Sequence, residues 1–199
     1  RWSLKALHRE ILLSSTYALS ADRAPENTTA DPDNRLNWRY NRQRLDAEAL
    51  RDALLFVAGD LDPKAGGPPV PLEDSKNHRR TVYGRISRQR INPMLAMFDF
   101  PNPNITSEQR VPTTVPLQRL FLLNSGLMMQ QADALAARIA REAGDGPEAR
   151  IRHAYHLLFQ RSPKPREIAA ALDFLQTGAA AWPEYAQVLL SSNEFLYVD

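Results

Sequence analysis

The sequence predicts a mainly α fold, an irregular multi-helix bundle with one small β ribbon or edge strand near residues 81–88. Three observations predict it. Apolar residues recur at helical spacing in one segment after another, 15 prolines fall between those segments rather than inside them, and no strand–helix alternation of the nucleotide-binding α/β kind is present. With 199 residues, 43% apolar and 24% charged, the composition is ordinary for a globular chain. A chain of this size buries about 70% of its unfolded surface, so a core can form without crosslinks.

Taken in order, Trp2 to about Ser20 places Leu4, Leu7, Ile11 and Ala18 on one face behind a Ser3 N-cap, which is an amphipathic helix. A polar loop with Pro25 and Pro32 follows, then an Arg- and aromatic-rich stretch of ambiguous period up to Gln43. From Asp46 the helical pattern returns: Asp46 and Glu48 suit a first turn, Leu50, Leu54 and Val57 repeat, and Gly59 can terminate. Residues 63–75 hold Gly66-Gly67-Pro68-Pro69 and Pro71, which is loop chemistry. Thr81 to Arg88 alternates and is β-branched, hence the expected strand. Asn92-Pro93 should start a short helical turn through Phe98.

Beyond it, Thr114 and Pro116 open one helix and Ser125 caps another, with Met128, Ala132, Leu135 and Ile139 as its stripe. Pro147, Pro165 and Pro183 each begin a further helix, the one from Pro165 ending near Gly178. The count is about eight helices. The whole reads as a single domain over 1–199, cut from a larger multidomain protein because it starts at Arg1 without a methionine and is helical from its second residue. Within it, 1–62 supplies N-terminal helices, 63–112 a loop-rich basic insert and 113–199 the helical half.

Zero cysteines exclude disulfides, thiolate metal sites, iron–sulfur clusters and c-type haem attachment within this segment. No cofactor is expected in it. No run approaches the ~20 apolar residues of a membrane span. Net charge is +2, yet Lys76, Arg79, Arg80, Arg85, Arg88 and Arg90 lie in a stretch with no acid before Asp99, and elsewhere acids outnumber bases. Arg79, Arg80, Arg85 and Arg88 are therefore anion-binding candidates, with Tyr83 offering a ring. Arginines on an edge strand also discourage edge-to-edge pairing. Nucleic acid is not an expected partner, since overall charge is low and no docking helix is evident.

Glu48 and Asp52 are four apart and share a helix face, with Arg44 and Arg51 within a turn of Glu48. Such a pair could split acid and base roles, or form a salt-bridged face. His153 and His156 have a spacing two metal ligands can use but no further ligand near in sequence, so no metal site is expected. There is no nucleophile elbow, phosphate loop, H-E-x-x-H or calcium loop.

Several stretches together resemble a known family. They are Trp2-Ser3-Leu4-Lys5, Leu7-His8-Arg9, Asp31-Pro32 with Asn34-Arg35, Trp38-Arg39 and the run from Arg44 to Ala53 in the first half. In the second half they are Val82-Tyr83, Phe98-Asp99-Phe100-Pro101, Arg110 with Thr113 to Gln118, Leu122-Leu123-Asn124 and Asn193 to Asp199. In order and spacing they resemble the domain of unknown function 1553 family, the C-terminal domain of large planctomycete-type cytochrome c proteins. The resemblance implies an exported parent protein of the periplasm or cell envelope, with haem c in a separate domain and genes often beside sulfatase-like ones. It carries no established activity onto any residue.

The expected function is accordingly a binding or inter-domain docking module in a polysaccharide-processing setting, whose partners are a glycan or the neighbouring domains of the same chain. The alternative is a catalytic or co-catalytic domain acting on polysaccharide through a carboxylate pair. The expected ligand site gathers Arg44, Glu48, Asp52, Asp99, Arg110 and Gln118, polar residues of otherwise unrelated stretches.

Overall fold

Residues 2–176 and 181–198 are described by a computed structural model of the chain. Contacts group the chain into two units, Arg1–Arg44 with Tyr197–Asp199, and Leu45–Leu196. The expected segments 63–112 and most of 113–199 thus lie together in the second unit.

In the first unit, Ser3 Oγ accepts from Ala6 N–H at 3.3 Å and starts α1 (Leu4–Leu12). The helix stops well before Ser20. Ser14 is the reason: its hydroxyl donates to Ile11 O at 2.8 Å and accepts from Tyr17 N–H, offering the backbone a turn instead of a further helical rung. Leu4, Leu7, Ile11 and Leu12 of α1 are all exposed. Where a polar loop was expected, Pro25 opens α2 (Pro25–Ala30), its Thr28 and Thr29 hydroxyls bonded back to carbonyls four residues earlier. The Arg- and aromatic-rich stretch is a turn built on Asn34, which is buried at φ 55 and bonds Arg39 O, Arg39 N–H and Asn41. β1 (Gln43–Arg44) pairs antiparallel with β2 (Tyr197–Val198), Gln43 opposite Val198 and Arg44 opposite Tyr197.

The second unit begins at α3 (Ala47–Ala58). Asp46 Oδ1 accepts from Ala49 N–H at 2.8 Å, and Gly59 ends the helix at φ 84, a left-handed conformation that favours glycine. The segment after Gly59 contains a 3-10 turn at Thr81–Tyr83 and one short α-helix, α4 (Pro93–Met97), capped by Asn92 Oδ1 as the Asn-Pro pair predicts. Five further helices and a final turn follow: α5 (Pro116–Asn124), α6 (Gly126–Glu142), α7 (Pro147–Phe159), α8 (Pro165–Leu175), α9 (Ala181–Leu190) and α10 (Asn193–Leu196). Ser125 caps α6 as expected, whereas α5 is capped at Val115 with help from Gln118. The helix end expected near Gly178 falls outside the described residues.

The strand expected at 81–88 is not formed; among the described residues the small sheet is β1–β2. Asp52 takes Thr81 N–H at 2.6 Å and the Thr81 hydroxyl at 2.7 Å, and Tyr83 N–H turns back to Arg80 O, so the start of the segment is drawn out of any ladder. What remains of the extended tendency is one isolated parallel bridge between Val70 and Gly84. A Cβ on Gly84 would come within 2.6 Å of the Leu72 side chain, so the approach needs glycine.

The core centres on α6, packed against α9, α3, α5 and α7. Met128 and Leu135 of α6, Leu54 of α3, Ile151 of α7 and Leu190 of α9 are fully buried. Each large aliphatic side chain so buried contributes roughly 1.5–3 kcal/mol. Polar side chains close the helix ends between them. Arg138 of α6 donates to Phe56 O and Val57 O at 3.0 Å, and Gln187 of α9 donates to Leu122 O and Leu123 O, satisfying carbonyls that α3 and α5 leave open. Among the described residues, no helix is long and apolar enough to cross a membrane.

Candidate functional site

Of the six residues expected to form one site, the second unit brings Glu48, Asp99, Arg110 and Gln118 into one neighbourhood. Arg110 grips Glu48 with both terminal nitrogens at 2.7 and 2.8 Å, reaches Asp46 at 3.2 Å, and lies 5.3 Å from the centre of the Phe100 ring. Beside Phe100, Asp99 sits at φ 61 and accepts from Thr113 N–H and the Thr113 hydroxyl at 2.7 and 2.8 Å. Gln118 joins Val115 N–H to Met97 O. These ties staple the 98–118 loop to the start of α3. An open groove of about 400 Å³ borders them, lined by Phe100, Pro101, Pro103, Ile105 and Arg110 among others.

Asp52 has other partners, and Arg44 is part of the first unit. Asp52 is one turn on from Glu48 but serves Thr81, with Arg80 Nε at 3.5 Å. Arg44 precedes the Asp46 cap, so it is not on the helix; it lies in β1 of the first unit, opposite Tyr197.

The two α3 carboxylates therefore do not face one task. Partial burial pushes the Glu48 carboxyl up, but the hydrogen bonds from Arg110 and the backbone outweigh that and leave it below the usual carboxylate range. A carboxyl held ionised in this way serves as an ion-pair partner and is no proton donor at neutral pH.

The basic stretch divides in the same way. Arg79 donates to the carbonyls of Pro68, Lys64 and Gly66, and its guanidinium stacks 4.3 Å from the Tyr83 ring centre. It holds the Gly/Pro loop, and Tyr83 is covered by it. Arg80 meets Asp52, while Arg85 and Arg88 are exposed. His153 lies 3.5 Å from Glu142 and His156 3.3 Å from Ser162, so the two imidazoles take different neighbours.

Sequence reasoning missed the more enclosed feature, a cavity of about 450 Å³ between α3, α4, the 72–77 loop and the start of α6. Leu55, Leu95, Phe121 and Leu127 give it apolar walls, and Arg51, Asn77, Asn92 and Gln131 its polar ones. Arg51 is 3% exposed and donates to Arg79 O at 2.9 Å, Thr81 Oγ1 at 3.2 Å and Asn77 O. Its burial lowers the pKa, partly offset by neighbouring Asp52. Gln131 is 1% exposed; its Nε2 reaches Asp60 Oδ2 at 3.5 Å and its Oε1 is buried with no partner. Each left a trace in the sequence. Arg51 interrupts the apolar face of α3 beside Leu50, and Gln131 stands three after Met128 and four before Leu135, inside the α6 stripe.

The fold and these sites define a mainly helical domain whose charged side chains bind its own loops and which holds a part-polar cavity of ligand size. Over residues 1–175 the chain matches the model of the family described as "Protein of unknown function (DUF1553)", and it belongs to that family. Comparison with curated proteins and with solved structures returns no match.

Proposed function

We propose that this domain is a non-catalytic binding and docking module of an exported multidomain protein that handles polysaccharide in the cell envelope, and that the cavity beside Arg51 and Gln131 is its ligand site. One observation carries the reading. The carboxylates an enzyme would use, Glu48, Asp52 and Asp99, are each engaged by Arg110, Thr81 or Thr113, while a buried acceptor at the cavity has no partner. Unpaired buried polar groups are rare because they cost roughly 1–3 kcal/mol, and a ligand is one way to satisfy them. The exported setting, and haem in a separate domain, rest on the family resemblance.

The test is the thermal unfolding midpoint of the domain against neutral and sulfated oligosaccharides, each at low and high salt. A ligand at a hundred times its Kd adds about 2.7 kcal/mol, which for this size is a rise of roughly 5–10 °C. A rise that survives salt is the expected result. Steady release of reducing ends would replace the reading with a catalytic one; silence across the panel would leave docking against neighbouring domains.

A further inference from the structure

We infer that the cavity takes a neutral polyhydroxylated ring and excludes its sulfated or carboxylated counterparts. The inference rests on the reading of the cavity as a ligand site and adds the chemistry of what fills it. Among the residues lining it, the cation is Arg51, and its terminal nitrogens are already donating to Arg79 O, Thr81 Oγ1 and Asn77 O. It has little left to offer an anion. The same lining carries two carboxylates, Glu73 and Asp74, both exposed, and Asp60 stands behind Gln131. A sulfate entering here would meet negative charge with no free guanidinium to offset it.

The polar groups that remain ask for a hydroxyl. Gln131 must turn its Nε2 toward the Asp60 carboxylate, which can only accept, and that fixes Oε1 as an acceptor in need of a donor. Asn92 spends Oδ1 on Met94 and Leu95 N–H, leaving Nδ2 as a donor. A group that both donates and accepts meets both needs, which hydroxyls do and ammonium or sulfate groups do not. Phe121 and Leu95 give the same space an apolar wall on which the C–H face of a ring can lie.

The experiment follows the side-chain amide signals of Gln131 and Asn92 and the methyl signals of Leu55, Leu95 and Leu127 by NMR in the whole chain. The probes are methyl glucoside, glucosamine and glucose 6-sulfate. Saturable shifts with methyl glucoside, at least tenfold weaker with glucose 6-sulfate, are expected. Gln131→Met, which keeps the volume and removes the acceptor, should abolish the shifts while the ligand-free unfolding midpoint stays level or rises. Equal or tighter binding of the sulfated probe than of methyl glucoside overturns the inference, as does unaltered methyl glucoside binding by Gln131→Met. If oligosaccharides raise the midpoint but the cavity signals stay still, the inference fails and the glycan reading stands on another surface. If no sugar moves either readout, both fail. Because the wild-type signals report the site directly, a variant that does not fold leaves the test intact.

Discussion

From α5 to α10 the chain is held mainly by apolar side chains meeting one another, whereas from Asp60 to Val115 it is held mainly by charged and polar side chains meeting backbone. In the first region Leu135, Met128, Ile151 and Leu190 share one apolar core, and the helices satisfy their own amides. In the second, Arg51 and Arg79 collect carbonyls from Lys64, Gly66, Pro68, Asn77 and Arg79, and Asp52 and Asp99 collect the N–H groups of Thr81 and Thr113. A loop that pairs with itself at only a few points, Asp62 with His78 and Val70 with Tyr83 and Arg85, needs such partners, because buried backbone groups must be bonded somewhere. Charge here takes the structural part that a β ladder would otherwise play.

The comparison can be broken most forcefully at Leu135. Leu135→Ala should cost about 3–5 kcal/mol and lower the unfolding midpoint by roughly 10 °C, in one cooperative transition that takes the loop region with it. Thermal melts followed by circular dichroism check this. A smaller and different effect is expected at Arg51. Arg51→Met leaves the Asn77 and Arg79 carbonyls unpaired, costing about 3 kcal/mol, and much of the loss should be local. Limited proteolysis should then cut between residues 64 and 80 at temperatures where the helical circular dichroism signal is unchanged. Simultaneous loss of both signals would mean that the two regions are one cooperative body.

The smallest effect is set by acid. Arg161 donates to Glu167 through both terminal nitrogens at 2.9 Å and holds that carboxyl down from 4.5 to about 2, despite a small opposing push from burial. A folded-state pKa below the unfolded one gives stability that is complete above about 4.5 and disappears as pH falls toward 2. Midpoints between pH 6 and pH 2 should therefore fall less steeply in Glu167→Gln than in the parent chain. Because the pair is partly exposed, the difference should shrink in high salt.

The same contrast explains what the sequence could and could not disclose. Helices α3 to α8 were legible because Leu50, Leu54 and the Met128–Ile139 stripe repeat at the helical period, and because Asp46, Asn92, Ser125 and Pro147 mark their starts. The stretch from Thr81 to Arg88 has β-branched alternation, and that local preference lost to Asp52, which lies 29 residues away and captures the Thr81 N–H. Glu48, Asp99, Arg110 and Gln118 could be grouped from the sequence because they sit in polar stretches, and the contacts of Arg110 with Glu48 and of Gln118 with Met97 O place them near one another without making them a ligand site. The cavity was invisible for the opposite reason: Arg51 and Gln131 are embedded in apolar helical faces, where a periodicity argument treats them as interruptions.

Leu45 N–H donates to Leu196 O at 2.9 Å, so the second unit begins and ends at the same point. A segment whose entry and exit coincide behaves as a cassette. Its two ends could be joined by a few residues and new ends opened at the exposed Gly66-Gly67 turn with the packing order kept, as circular permutation requires. The same closure makes this contact one of long sequence separation, which raises the contact order of the unit and with it the expected folding time.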